Sequence, residues 1–340
     1  VNQIQDEIDQ NMVHAQIPIS AELVGSYAVK TVAKPVLNVD VVLEMQTTMI
    51  TPKVLKSSEK YTAKRDEFIE LVVKKLDQTS IAQGTIELSR GFGGDTNRKI
   101  AVVTLTPPSS TAASTLTTWQ VRLIPIPPKT DQSLDTFCSE ARSDAKIIDH
   151  NVEIYTQYRR CSSFKDTSVM VKVWARARFG LESFGGFLSS LFLARLAASG
   201  KASRHLSSYQ FFRIALASMG SSAEDDPTSV KALLGEQGEN NGIDWSLLNH
   251  QAKVSLTQLD ADTTTGGGFE GLFIAKTASH PEWMCDVLVH TRISNKEDRD
   301  KAIETLRKGL GNRAQLVCRI PCLEKTQDSF VVGLVLDTSG

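Results

Sequence analysis

The first part of the chain combines several apolar runs with one long stretch of helical periodicity. The runs Ala21–Gly25 and Val39–Met45 predict two strands, and the second is apolar on both faces, which is typical of a strand inside a sheet. In residues 57–78, apolar side chains repeat at helical spacing and predict an amphipathic helix. Three further strands are predicted in the sequences GTIELSR, KIAVVTL and WQVRLIPI. This order of elements predicts a small α/β domain.

The period becomes helical from about residue 145 onward. Three apolar faces predict three helices, and they consist of Val169, Met170, Val173, Trp174 and Ala177, of Phe187, Leu188, Leu191, Phe192 and Leu196, and of Tyr209, Phe212, Leu216 and Met219. Two strands (FEGLFIAKT and WMCDVLVHT), a helix over Lys296–Leu310 and two more strands (AQLVCRIP and SFVVGLVLD) are predicted after them. We therefore predict an α/β domain over residues 1–140, a helical domain over 141–293 and the start of a third unit over 294–340.

Composition argues against a membrane protein and against a strongly basic nucleic-acid binder. The 340 residues are 41% hydrophobic and 23% charged, and their formal net charge of -1 gives the whole chain no attraction for nucleic acid. The most apolar run, GGFLSSLFLARLAASG, is too short to span a bilayer and contains Arg195. The five cysteines do not complete a zinc site, and we expect free thiols. Because the chain lacks an initial Met and ends in an apolar run, we expect the N-terminal part of a longer protein.

The stretch LVGSYAVKTVAKPVLNVDVVLEM has the layout of a nucleotidyltransferase active site. Gly25 and Ser26 follow one apolar run, and Asp40 lies inside the next. In nucleotidyl transfer, two Mg²⁺ ions roughly 4 Å apart hold the attacking hydroxyl and the leaving pyrophosphate, and they bind carboxylate oxygens. A Gly-Ser pair before a helix start offers N–H groups and a hydroxyl to the triphosphate, and the glycine allows close approach. These three residues therefore mark a candidate nucleotide pocket.

The carboxylate set that this chemistry needs is incomplete. Alternate residues of a strand share a face, and the residue two positions after Asp40 is Val42, which offers no metal ligand. Glu44 lies about 13 Å along the strand from Asp40, too far to share the ions. If the register begins at Asn38 instead, a neutral amide replaces one carboxylate. Only one acid of the pair remains in either register.

The third acid is also missing from the expected strand. KIAVVTL contains no acid, and WQVRLIPI places Arg122 where an inward-facing acid is needed. Since a guanidinium repels metal ions, we expect no catalytic residue, no bound metal and no cofactor; Glu87 is the one rival acid. Gly25-Ser26 then marks a strand-to-helix corner that needs glycine, and Asp40 is expected to hydrogen-bond to backbone or to an arginine.

A short basic strip in the helical domain is a candidate RNA contact. Lys172 and Arg176 are four residues apart and share a helix face, whereas Arg178 does not follow that spacing. The alternative is a solvated face opposite the apolar stripe of Trp174. Both interpretations stay open at this point.

Taken in order, these stretches resemble one family over nearly the whole chain. VGSYAVKTVAKPVLNVDVVLEM, followed by KYTAKRDEFIELVV, is similar to the first domain of the Nrap family, nucleolar RNA-associated proteins of the small-subunit processome. DTSVMVKVWARARFGLESFGGFLSSLFLARL, LSSYQFFRIAL and NHQAKVSLTQLDADTTTGGGFEGLFIAK resemble its second domain, which is similar to the helical domain of poly(A) polymerases and oligoadenylate synthetases. FVVGLVLDTSG resembles the opening of a second nucleotidyltransferase-like unit.

The resemblance implies both a fold class and a function. The implied fold is a polymerase-β-like nucleotidyltransferase α/β domain followed by a helical domain, as in archaeal CCA-adding enzymes, whose V-D-V-V-P strand carries an acid where VRLIP has Arg122. The implied function is a non-enzymatic scaffold of small ribosomal subunit biogenesis and pre-18S rRNA processing in the nucleolus. The implied partners are pre-ribosomal RNA, UTP-C subcomplex proteins, casein kinase two and other processome proteins, without a membrane. The alternative is an active Mg²⁺-dependent, template-independent RNA nucleotidyltransferase that uses Asp40 with Glu87 or Glu44.

Overall fold

The computed structural model divides the chain into two compact units, Val1–Arg160 and Cys161–Gly340. The first compact unit ends later than the boundary predicted at residue 140. The predicted family boundaries at 140 and 293 are not tested by this division and stay predictions. The structure describes residues 20–32, 37–77, 84–92, 95–105, 119–179, 184–222, 226–235, 243–261, 272, 287–293, 295–319 and 329–336.

The first unit is built on a five-stranded mixed sheet with the strand order β1-β2-β5-β4-β3. β2 pairs in parallel with β5, and the other neighbouring strands are antiparallel. The strand predicted to lie inside the sheet does so, since β2 lies between β1 and β5. The elements are β1 (Ala21–Val24), α1 (Gly25–Ala28), β2 (Leu37–Glu44), α2 (Pro52–Leu55), α3 (Ser58–Asp77), β3 (Gly84–Phe92), β4 (Asp95–Leu105), β5 (Trp119–Ile126), α4 (Ser139–Ala145) and α5 (Ile147–Arg160).

Side-chain alternation gives this sheet two apolar faces. Odd-numbered strand residues and the apolar side of α3 form the larger core, which includes Val39, Val41, Leu43, Ala101, Val103, Val121 and Leu123 together with Tyr61, Phe68, Ile69 and Val72. Even-numbered strand residues form most of a smaller cluster, Val24, Val42, Ile100, Ile124 and Ile126, and Ile147 and Ile148 of α5 pack on it. Because both faces are covered, β2 is apolar on both faces.

A buried cluster of charged and polar side chains joins α4 to α3 and to the sheet. The Asp144 carboxylate accepts a hydrogen bond from Tyr61 Oη at 2.9 Å. The same carboxylate forms ion pairs with Arg65 of α3 at 3.2 Å and with Arg98 of β4 at 2.9 Å. All four residues are at most 6% exposed. One carboxylate therefore fixes the position of α4, and with it the start of α5.

Tyr61 contributes to this cluster as a neutral donor. Burial raises the pKa of Tyr61 well above its usual value, and the negative charge of Asp144 raises it further. The phenol therefore keeps its proton and its hydrogen bond at physiological pH.

The second unit begins with the helices that the sequence predicts. The three predicted apolar faces lie in α6, α7 and α8, and Trp174 donates from Nε1 to Ser255 Oγ of α10 at 2.9 Å. Trp174, Leu191, Phe192, Phe212 and Leu216 are all 0% exposed, whereas Tyr209, predicted on the same kind of face, is 42% exposed. The helices are α6 (Phe164–Phe179), α7 (Gly186–Ala198), α8 (Ser208–Gly220), α9 (Val230–Leu234) and α10 (Trp245–Ala261).

The last part of the second unit is a three-stranded sheet with one helix. Its elements are β6 (Val287–Arg292), α11 (Lys296–Leu310), β7 (Ala314–Arg319) and β8 (Ser329–Leu336). The strand order is β6-β8-β7, with β8 antiparallel to both neighbours and α11 packed on the sheet. The connection differs from that of the first unit, where β1 leads through α1 into its own neighbour β2. That residues 294–340 open a second nucleotidyltransferase-like unit stays a prediction.

Some predicted features lie outside the described residues, among them most of the strand FEGLFIAKT. Cys138 and Cys161 are free, as predicted for this chain. In the described part of the chain, no helix is long and apolar enough to cross a membrane.

Asp144→Ala is expected to destabilise the first unit strongly. The change leaves Arg65 and Arg98 buried without their carboxylate, and removing one partner of a buried ion pair costs about 3–5 kcal/mol. Urea unfolding followed by circular dichroism, together with hydrogen exchange of the α3 and α4 amides, measures this loss.

The matched control is an exposed ion pair on the same helix. The side chains of Lys64 and Glu67 are 41% and 59% exposed, and Glu67→Ala should cost less than about 1 kcal/mol. A loss for Asp144→Ala no larger than that for Glu67→Ala would contradict the role of the buried cluster.

Candidate functional site

The candidate nucleotide pocket begins at the corner where β1 ends and α1 starts. Gly25 has a φ of +74°, in the left-handed region that glycine adopts at little cost. A Cβ atom at this position would lie 2.7 Å from Asp40 Oδ2, which is too close for any real contact. The corner therefore needs glycine for its backbone conformation and for the space that the Asp40 carboxylate takes.

The backbone amide of Gly25 already has an acceptor within the protein. Its N–H donates to Asn151 Oδ1 at 3.0 Å, and Asn151 is only 8% exposed. Asn151 belongs to α5, the helix whose first residues pack on the even-numbered face of the sheet. At a glycine corner of this kind, a phosphate oxygen is the usual ligand of the N–H group. The carboxamide oxygen of Asn151 takes that position.

The candidate metal ligand Asp40 forms a bidentate ion pair with Arg122. The two residues face each other in register on the parallel strands β2 and β5. Arg122 donates from Nε to Oδ1 at 2.6 Å and from Nη2 to Oδ2 at 2.9 Å, so both carboxylate oxygens are engaged. Asp40 is 8% exposed, and the Arg122 side chain is 25% exposed. The expectation that a lone acid in this strand bonds to an arginine is confirmed.

Hydrocarbon fills the neighbouring position on this face of the sheet. Val42 is 1% exposed and lies in the cluster that contains Val24 and Ile124. Nothing in that cluster offers a hard oxygen ligand, which Mg²⁺ requires. The place of a second strand acid is therefore part of the core.

The rival acids are too far away to complete a set with Asp40. Glu44 accepts a hydrogen bond from the Lys129 backbone N–H at 2.9 Å, at the end of β2. Glu87 is exposed on β3, three strands from Asp40, which corresponds to roughly 14 Å. Within the described ranges, no group of three or more His, Cys, Asp or Glu side chains is placed to hold a metal ion.

The predicted basic strip is mostly buried. Lys172 is 8% exposed and Arg178 is 1% exposed, while Arg176 is half-buried. Arg178 donates to Gln258 Oε1 of α10 at 3.3 Å, and burial lowers the pKa of its guanidinium. These side chains therefore form neither an exposed strip nor a solvated face. An RNA contact by them stays a prediction, and it requires that Lys172 and Arg178 become exposed.

Sequence reasoning found the residues of the two strands and missed the helix that meets them. Asn151 lies 126 positions from Gly25, and a single polar residue in an amphipathic helix gives no signal of such a contact. Asp144 was missed for the same reason. The one available signal was Arg122, a charged residue inside an otherwise apolar strand.

The N-terminal portion matches a known family. Residues 4–138 match the family described as Nrap protein domain 1, and this range contains Gly25, Asp40 and Arg122. The N-terminal portion of this chain belongs to the Nrap family. The Nrap match ends before α5, so that Asn151 lies outside it. The predicted fold class, a nucleotidyltransferase-like α/β domain with helices, is confirmed by this family and by the mixed sheet.

Solved structures add a likeness of fold alone. The structure of the E. coli MS115-1 CdnC:HORMA-deltaN complex has 14% sequence identity, covering 83% of this chain and 87% of that chain, at a TM-score of 0.47. A structure of the Cid1 poly(U) polymerase with MgGTP bound has 7% identity, covering 80% of this chain and 91% of that chain, at a TM-score of 0.48. No curated protein matches the chain.

Gly25→Ala is expected to destabilise the Nrap domain by about 1–3 kcal/mol, because it combines a strained φ with a clash against Asp40 Oδ2. Thermal and urea unfolding measure the loss. Gly200→Ala is the control, since Gly200 also has a positive φ, +83°, but no atom lies within 4 Å of its added Cβ. Equal losses for the two variants would show that the approach of Asp40 does not constrain the corner.

Proposed function

We propose that this chain is a non-enzymatic scaffold of small ribosomal subunit biogenesis, a degenerate nucleotidyltransferase that acts through protein and RNA contacts. The observation that carries the proposal is the bidentate ion pair between Asp40 and Arg122. It places a positive charge where nucleotidyl transfer needs metal ions.

Charge and geometry both support the absence of catalysis. Two-metal chemistry needs several carboxylates around ions about 4 Å apart. The candidate pocket offers the single carboxylate of Asp40, neutralised by Arg122, with Val42 beside it. The N–H group at the Gly25 corner is engaged by Asn151 and is not free for a triphosphate.

The cellular role follows from the Nrap family rather than from the pocket. The resemblance implies pre-18S rRNA processing in the nucleolus, with pre-ribosomal RNA, UTP-C subcomplex proteins, casein kinase two and other processome proteins as partners. With a formal net charge of -1, the chain depends on local surfaces for any RNA contact.

The second candidate function is an active, Mg²⁺-dependent, template-independent RNA nucleotidyltransferase. What favours it is the retention of Gly25, Ser26 and Asp40 at the strand-to-helix corner. It requires that Arg122 leave Asp40 and that a further acid come within reach of the same ions.

A neutral double variant separates the two functions. Asp40→Asn with Arg122→Gln removes the candidate metal ligand and its counter-charge together, so that no unpaired charge is left buried. We expect pre-18S rRNA processing in cells that contain only this variant to proceed at the wild-type level. We also expect the purified wild-type protein to incorporate no nucleotide into RNA ends in the presence of Mg²⁺.

The scaffold proposal fails if the wild-type protein shows saturable, Mg²⁺-dependent nucleotide incorporation that the double variant lacks. Circular dichroism of both proteins is the control for folding. A processing defect in a variant that folds normally would also count against the proposal.

A further inference from the structure

We propose that Arg122 occupies a latent divalent-cation site, and that its guanidinium takes the position of the ion. The protein ligands of this site are the Asp40 carboxylate and the Asn38 carboxamide oxygen. The inference rests on the proposed absence of catalysis, because a site filled by Arg122 does not hold a metal ion in the wild-type protein.

The first ligand is a carboxylate whose whole binding capacity is turned to one cation. Both Asp40 oxygens accept hydrogen bonds from Arg122, at 2.6 and 2.9 Å. The pair is short and bidentate, and Asp40 is 8% exposed. A carboxylate buried to this degree needs a positive partner, either a guanidinium or a metal ion.

The second ligand is an oxygen atom that has no partner in the part of the chain that the structure describes. Asn38 Oδ1 is buried and accepts no hydrogen bond from the described residues. Asn38 precedes Asp40 by two positions on β2, so the two side chains lie on the same face of the sheet. An orphaned amide oxygen at this spacing is a hard ligand suited to Mg²⁺, Ca²⁺ or Mn²⁺.

Removal of the guanidinium would therefore expose a cation site with one charge and one neutral oxygen. Mg²⁺ is often bound through one or two carboxylates and several waters, so two protein ligands are sufficient for weak binding. The competing outcome in such a variant is protonation of Asp40, which needs no metal ion.

Arg122→Ala is the test, with Mn²⁺ as the probe because its electron paramagnetic resonance signal reports the free ion. We expect the variant to unfold at a lower temperature than the wild-type protein in EDTA. We expect millimolar Mn²⁺ to raise its midpoint by roughly 2–4 °C and to bind one ion per chain beyond those bound by the wild-type protein. Asp40→Asn in the Arg122→Ala background is the matched control and should lose both effects.

The possible results separate this inference from the proposed function. A folded Arg122→Ala variant that binds no more Mn²⁺ than its Asp40→Asn counterpart overturns the latent site and leaves the scaffold intact. Nucleotide incorporation by the wild-type protein overturns the scaffold itself. If Arg122→Ala fails to fold in EDTA, refolding with and without Mn²⁺ takes its place, and recovery that does not depend on Mn²⁺ overturns the site.

Discussion

The ion pair between Asp40 and Arg122 is the interaction on which the candidate pocket depends. It is possible because β2 and β5 are parallel neighbours that bring the two residues into register. In an apolar sheet face, an unpaired carboxylate costs several kilocalories per mole, and a bidentate guanidinium removes that cost without a metal ion. The same exchange that makes the strand stable removes the charge that nucleotidyl transfer needs.

The rest of the pocket is fixed by a second charged group, Asp144. This carboxylate holds α4 on α3 and β4 through Arg65 and Arg98, and α5 begins directly after it. α5 in turn carries Asn151 to the Gly25 amide. Both positions that a metal–nucleotide complex would contact are thus engaged by the protein itself, a guanidinium at the carboxylate and a carboxamide at the N–H group.

Local patterns predicted the strands, the long helix and the loss of acids, because burial and alternation leave a direct trace in the sequence. Val42 and Arg122 were readable in this way, since each stands where a carboxylate is required. Asn151 and Asp144 were not, because their partners lie on distant elements and their own neighbours show only helical periodicity. The burial of Lys172 and Arg178 was missed for a related reason: basic residues at helical spacing predict a surface, unless a packed neighbour such as α10 covers them.

The central claim is that the side chains of the protein occupy its own pocket. It is tested most directly by a crystal structure of the wild-type protein soaked with Mn²⁺ and a non-hydrolysable ATP analogue, using the anomalous signal of the metal. The account predicts no anomalous peak at Asp40, with Arg122 still bidentate and Asn151 still on the Gly25 amide. A peak at about 2.0–2.2 Å from an Asp40 oxygen, with Arg122 displaced and nucleotide phosphates at Gly25, would contradict it.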